Sequence, residues 1–77
     1  MILEEGEIIT LNSNNKDYIV VKSIYNNNIN YYYLMTVNKP TEVLLVKLIT
    51  NQNGEPALEN VVDKQELADV MKLTANI

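Results

Sequence analysis

Apolar residues along this chain fall into short runs rich in β-branched and aromatic side chains, a pattern typical of strands. Clusters of asparagine separate most of these runs, and asparagine tolerates the left-handed backbone that tight turns require. The pattern predicts four strands and a short fifth one: Glu7–Leu11, Tyr18–Tyr25, Tyr31–Val37, Val43–Thr50 and Ala57–Val61.

The connections between these strands are also predictable. Asn27 and Asn28 are expected to form the two-residue loop between the second and third strands. Asn53-Gly54 is the strongest two-residue hairpin signal and should join the fourth strand to the fifth. Pro40 separates the third strand from the fourth because proline cannot donate a hydrogen bond to a ladder, and Pro56 suits an edge strand.

The last segment changes to the period of a helix. One helical face collects residues at the i, i+3, i+4, i+7 spacing: Leu67, Val70, Met71 and Thr74. Asp63 can cap the N-terminus, and Glu66 three residues later completes an aspartate variant of the capping box. The sequence therefore predicts an α+β fold, an antiparallel meander sheet of four to five strands with one C-terminal helix packed on one face.

Length and composition set the scale of the fold. A chain of 77 residues holds one domain, 1–77, and leaves no room for a deep enclosed pocket beside its core. Hydrophobic residues make up 47% of the sequence, which argues against disorder. The first residues lack the pattern of a signal peptide, no apolar run could span a bilayer, and cysteine is absent, so we expect a cytoplasmic protein without membrane partners.

The expected register of the second hairpin sorts side chains onto two faces. One face would pair Ile24 with Tyr31, Lys22 with Tyr33, Val20 with Met35, and Tyr18 with Val37. The other face would hold Tyr25, Ser23, Val21 and Ile19 opposite Asn30, Tyr32, Leu34 and Thr36. Neither face is cleanly polar, and one helix of about three turns can cover only one of them.

Charge disfavours nucleic acid as a partner. The formal net charge is −4, and the six basic residues, all lysines, are scattered singly instead of clustered. The Tyr31–Tyr33 triplet could suggest a stacking platform for single strands, but alternation sends Tyr32 to the opposite face from Tyr31 and Tyr33. We interpret two of these tyrosines as core residues and Tyr32 as exposed.

Catalytic chemistry is poorly represented in the sequence. Histidine and cysteine are absent, which removes the commonest general base and the commonest thiol nucleophile. Asp63, Glu66 and Asp69 lie close together but offer too few ligands for a cation site, and capping accounts for the first two. With only two glycines, no phosphate-binding loop can form. We predict that the protein is not an enzyme and holds no metal or cofactor.

The order of motifs resembles that of a family of small acidic uncharacterised bacterial proteins, the YrzB-like group. The resemblance rests on four motifs: the Glu7-Ile-Ile-Thr-Leu11 strand, the tyrosine-rich Tyr31–Leu34 strand, the Asn53–Val61 turn and strand, and the Asp63–Leu67 helix start. This sequence departs from the family in its lower acidity and in Asn28, where the family usually has glycine. The resemblance implies the topology and no activity.

The leading hypothesis is a non-catalytic protein-interaction module that binds through the helix-free face of the sheet. Contiguous exposed apolar surface on a small protein tends to mark such sites. Two other outcomes stay open, a homodimer through that face, or a monomer in which the N-terminal segment and sheet twist cover it. An alternative function is a small phage or mobile-element inhibitor that blocks a host protein sterically. The residues expected to contact the partner are Ile19, Val21, Tyr25, Tyr32 and Leu34.

Overall fold

A computed structural model describes the backbone of residues 3–12 and 14–75 and the side chains of these residues up to 73. The chain forms five strands and one helix: β1 (Ile8–Thr10), β2 (Asp17–Asn26), β3 (Ile29–Thr36), β4 (Val43–Thr50), β5 (Pro56–Asn60) and α1 (Lys64–Ala75). All neighbouring strands pair antiparallel in the order β1-β2-β3-β4-β5. The predicted α+β meander with one C-terminal helix is confirmed, and β4 has the predicted bounds.

The two predicted hairpin turns differ in outcome. Asn27 and Asn28 both have positive φ, and Asn26 pairs with Ile29, so the two-residue loop is confirmed. The Asn53-Gly54 loop is longer than predicted, because β4 and β5 pair only as far as Thr50 and Pro56. Gly54 N–H donates to the Asn51 carbonyl at 3.0 Å, and Gly54 has a φ of +78°. A turn followed by a left-handed glycine is the usual form of a longer hairpin loop.

A β-bulge in β2 changes the predicted register of the second hairpin. Ile24 pairs with Tyr31 and Lys22 with Tyr33, as expected, but Val20 pairs with Leu34 and Tyr18 with Thr36. Val21 is the extra residue between the two registers. Because side chains alternate along a strand, one extra residue moves the whole first half of β2 to the other face. The predicted pairs of Val20 with Met35 and of Tyr18 with Val37 are therefore wrong.

The curled sheet has an inner face that forms the larger core. The buried residues there come from β2, β3, β4 and the segments flanking β1: Leu3, Leu11, Tyr18, Val20, Tyr32, Leu34 and Val46. Ile9, Leu44, Leu48 and Leu58 pack against them. This inner face carries no helix, yet the N-terminal segment and the curl of the sheet cover it.

The outer face carries α1 and a second, smaller core. Its buried residues are Ile24, Tyr31, Leu45, Val61 and Val70, with Ile29 and Tyr33 packed against them. Among the helix residues whose side chains are described, only Val70 is buried. Leu67 and Met71, predicted to face the core with Val70, are 36% and 38% exposed, and the side chain of Thr74 lies outside the described residues. The helix therefore meets the sheet along a narrower contact than its apolar spacing indicates.

The predicted start of the helix is confirmed in part. Asp63 Oδ1 accepts hydrogen bonds from the backbone N–H groups of Gln65 and Glu66, at 2.8 and 3.1 Å, which is N-cap geometry. The side chain of Glu66 does not turn back to the cap. It accepts hydrogen bonds from the Tyr31 hydroxyl and the Lys47 ammonium, so it ties the helix to the sheet.

Candidate functional site

Two of the five predicted partner-binding residues are core residues. Tyr32 is 1% exposed and Leu34 is 0% exposed, so the prediction that they are accessible is wrong. The backbone N–H of Leu3 donates to the Tyr32 hydroxyl at 3.3 Å, which shows how the N-terminal segment lies over this face. The helix-free face thus takes the covered form that the sequence left open as an alternative.

The other three predicted residues do not form one surface. Ile19 is half-buried on the outer face, and Val21 is the exposed bulge residue. Tyr25 lies at the far end of β2, 66% exposed, and its hydroxyl donates to the side chain of Asn28 at 3.0 Å. Only Ile19 belongs to the apolar surface described next.

A row of four apolar side chains crosses four strands on the part of the outer face that α1 leaves uncovered. Cross-strand pairing places them side by side, and we call them the apolar band: Ile8, Ile19, Met35 and Val43. Their neighbours in sequence, among them Tyr18, Leu34 and Leu44, belong to the inner core, so alternation turns the band outward. Ile8, Met35 and Val43 are exposed and Ile19 is half-buried.

An apolar groove between α1 and β4 extends the band. It has a volume of about 390 Å³, and Val43 belongs both to the groove and to the band. Most of the other lining residues are apolar: Tyr33, Leu44, Leu45, Val61, Val62, Leu67 and Met71, with Asn60. The half-exposed Leu67 and Met71 form the helix wall of this groove, so band and groove form one continuous apolar surface.

The charges beside the band are largely paired within the protein. Lys16 Nζ lies 2.8 Å from Glu42 Oε1, and this hydrogen bond with Glu42 raises the pKa of Lys16. Lys22 lies 3.8 Å from Glu5, whereas Asp17 accepts a hydrogen bond from the neutral Thr10 and keeps its charge. The two lysines beside the apolar band are therefore each paired with a carboxylate.

A polar network fixes the helix against the outer face. Two hydrogen bonds hold the pKa of Glu66 below its usual range. The bond from the Tyr31 hydroxyl has the larger effect, and the bond from the Lys47 ammonium at 3.1 Å has the next largest. The pKa of Tyr31 is raised to about 12, mainly by burial and secondly by its hydrogen bond to Glu66. Lys47 and Glu66 are each about four-fifths buried, so all three groups lie mostly out of water. This network gives Glu66 a structural role, and no local pattern predicts it because its members are far apart in the chain.

No group of three or more histidine, cysteine, aspartate or glutamate side chains among the described residues could hold a metal ion. No helix within residues 3–12 and 14–75 is long and apolar enough to cross a membrane.

Comparison with known proteins gives no relative from which a function could be transferred. No family model, curated protein or solved structure matches the chain. The resemblance to the YrzB-like group therefore stays a prediction.

Proposed function

We propose that this protein is a non-catalytic protein-interaction module that binds a different protein through the apolar band and its adjoining groove. The observation that carries the proposal is the cross-strand row of Ile8, Ile19, Met35 and Val43, which continues into the groove at Val43. Contiguous apolar surface of this kind on a small protein is a recurrent feature of interaction sites.

The character of the rim supports a partner that presents a mainly apolar surface. The nearby lysines are paired, Lys16 with Glu42 and Lys22 with Glu5, so the rim offers no cluster of free positive charge for an anionic ligand. The net charge of −4 favours a different protein over a second copy, because like-charged copies repel one another. The alternative function, a small phage or mobile-element inhibitor that blocks a host protein sterically, stays a prediction.

The proposal can be tested by affinity capture from lysate of the native host with the wild type and two variants. The band variant carries Met35→Glu and Val43→Glu, which place two charges in the middle of the apolar band. The control variant carries Tyr25→Glu, a similarly exposed apolar position at the distant end of β2. We expect one protein recovered near stoichiometrically with the wild type and the control, and lost with the band variant.

Two results would contradict the proposal. A protein recovered equally with all three forms would bind elsewhere on the molecule. Light scattering that shows a concentration-dependent dimer, abolished by the band variant, would assign the band to self-association instead of a different protein.

A further inference from the structure

A second candidate site lies where the two edges of the sheet face each other. The curl brings β1 and β5 to opposite sides of a common cleft of about 520 Å³, and the strand order does not close between them. Inner-core residues form much of its apolar lining, with Pro56 and Ala57 at the β5 side: Leu3, Ile9, Leu11, Val46 and Leu58. This cleft shares Asn60 with the groove but no residue with the apolar band, so a ligand in the cleft does not rest on the proposed function.

Backbone groups on both sides of the cleft are directed toward it. The N–H of Val61 donates to the Leu45 carbonyl, and such bonds recur at every second residue of an antiparallel strand. Leu58 and Asn60 therefore turn their N–H and C=O groups away from β4. By the same alternation, the bond from Leu11 N–H to the Lys16 carbonyl turns the backbone groups of Thr10 away from β2.

These edge residues also line the cleft. Thr10, Leu58 and Asn60 all belong to its lining, so unpaired backbone donors and acceptors border an apolar floor. An exposed sheet edge of this kind is a template for an added strand. β5 is five residues long, so a segment of about five residues, about 17 Å in length, can pair with all of it.

The charges around the cleft indicate which residues should flank a bound segment. The cleft lining contains no charged residue, and its polar side chains are the neutral Thr10, Asn12, Asn51 and Asn60. Two exposed carboxylates adjoin it in sequence, Glu4 and Glu55, and neither forms an ion pair among the described residues. Each lies next to a lining residue, Leu3 or Pro56. Negative charge at the rim complements basic residues on the occupant.

We propose that the β1–β5 cleft binds an extended segment of a partner protein, about five residues of alternating apolar character flanked by lysine or arginine. The segment adds as a strand to the β5 edge, with its apolar side chains on the inner core. A second copy of this chain is a poorer occupant, because its own edges bring the same acidic residues against this rim.

The first test is a titration of ¹⁵N-labelled protein with the capped peptide Lys-Val-Thr-Val-Thr-Val-Lys, beside the same peptide with glutamate at both ends. We expect saturable amide shifts at β1 and β5 with the lysine peptide, at least tenfold weaker binding of the glutamate peptide, and affinity that falls as salt is added.

Two matched variants test the backbone contact. Asn60→Pro removes a donor directed away from β4 and should weaken binding about tenfold, as expected for the loss of one hydrogen bond. Asn60→Ala removes the same side chain but keeps that donor, so the proline variant should bind about tenfold more weakly than the alanine variant. Unchanged spectra in other strands would show that each variant is folded.

Several outcomes would overturn the inference. These are the absence of shifts at millimolar peptide, shifts confined to the apolar band, equal weakening by Asn60→Ala and Asn60→Pro, and equal binding of the two peptides. Edge shifts that depend on protein concentration without peptide would assign the cleft to a second copy. The capture experiment with the band variant tests a different surface from the peptide titration. Either proposal can therefore fail without the other.

Discussion

The two faces of this sheet are both apolar, yet they are covered to very different extents. The inner face is covered by the curl of the sheet and by the N-terminal segment except at the β1–β5 cleft, so Tyr32 and Leu34 are fully buried. The outer face is covered at one end by α1, which buries Val70 and leaves Leu67 and Met71 more than a third exposed. A sheet can thus bury a face without a helix when it curls on itself, and a packed helix does not guarantee that its face is closed.

The largest expected contrast lies between two adjacent residues of β3. Leu34→Ala should lower the free energy of unfolding by about 2–5 kcal/mol, because it empties space in the inner core. Met35→Ala, on the outer face, should cost less than about 1 kcal/mol because that side chain is already exposed. Urea unfolding followed by circular dichroism measures both, and equal costs would contradict the difference between the faces.

A matched pair of valines sharpens the comparison. Val46 and Val70 are both 1% exposed, one in the inner core and one in the helix contact. We expect Val46→Ala to cost about 2 kcal/mol and Val70→Ala about 1 kcal/mol, because a single helix in narrow contact can shift to fill the lost volume more readily than a central strand can. Hydrogen exchange should show loss of protection throughout the sheet for the first variant and mainly in α1 for the second. The reverse order would show that the helix contact is the tighter one.

The buried hydroxyl of Tyr31 gives the outer face a dependence on high pH. The folded protein holds this proton up to a pKa of about 12, whereas the unfolded chain releases it near 10, so stability falls as pH rises through that window. Tyr31→Phe should cost about 1 kcal/mol at neutral pH and should reduce the loss between pH 10 and 12. Denaturant midpoints at pH 8 and 11 measure this, and Tyr25→Phe, at a tyrosine that is 66% exposed, serves as the control. An unchanged alkaline loss in Tyr31→Phe would contradict the assignment.

The smallest expected effect concerns Glu66 in acid. Because its pKa is lowered in the folded state, it contributes stability above its ordinary value of 4.5 that is lost as pH falls through the folded pKa. Glu66→Gln should cost about 1 kcal/mol at pH 7 and should show a shallower loss between pH 5 and 3. Glu55→Gln, which removes an exposed carboxylate in the β4–β5 loop outside the described ion pairs, serves as the control. If both variants gave the same acid profile, the network would contribute nothing measurable.

Local patterns predicted most of the elements of this fold. Strand runs, the Asn27-Asn28 turn and the Asp63 cap depend on residues close together in sequence, and the structure confirms them. The candidate surface was predicted poorly, since it depended on the register of β2 with β3. The bulge at Val21 has no local signature, and it moved Tyr18 and Val20 to the face of Tyr32 and Leu34.

The sequence by itself determined the α+β class, the order of the strands and the start of the final helix, because period, turn chemistry and capping act within a few residues. Only the tertiary structure decided which face is open. The curl of the sheet, the bond from Leu3 to Tyr32 and the tie between Glu66, Tyr31 and Lys47 join segments 19 to 35 residues apart. Such contacts form only once the whole sheet has assembled, so no local pattern specifies them.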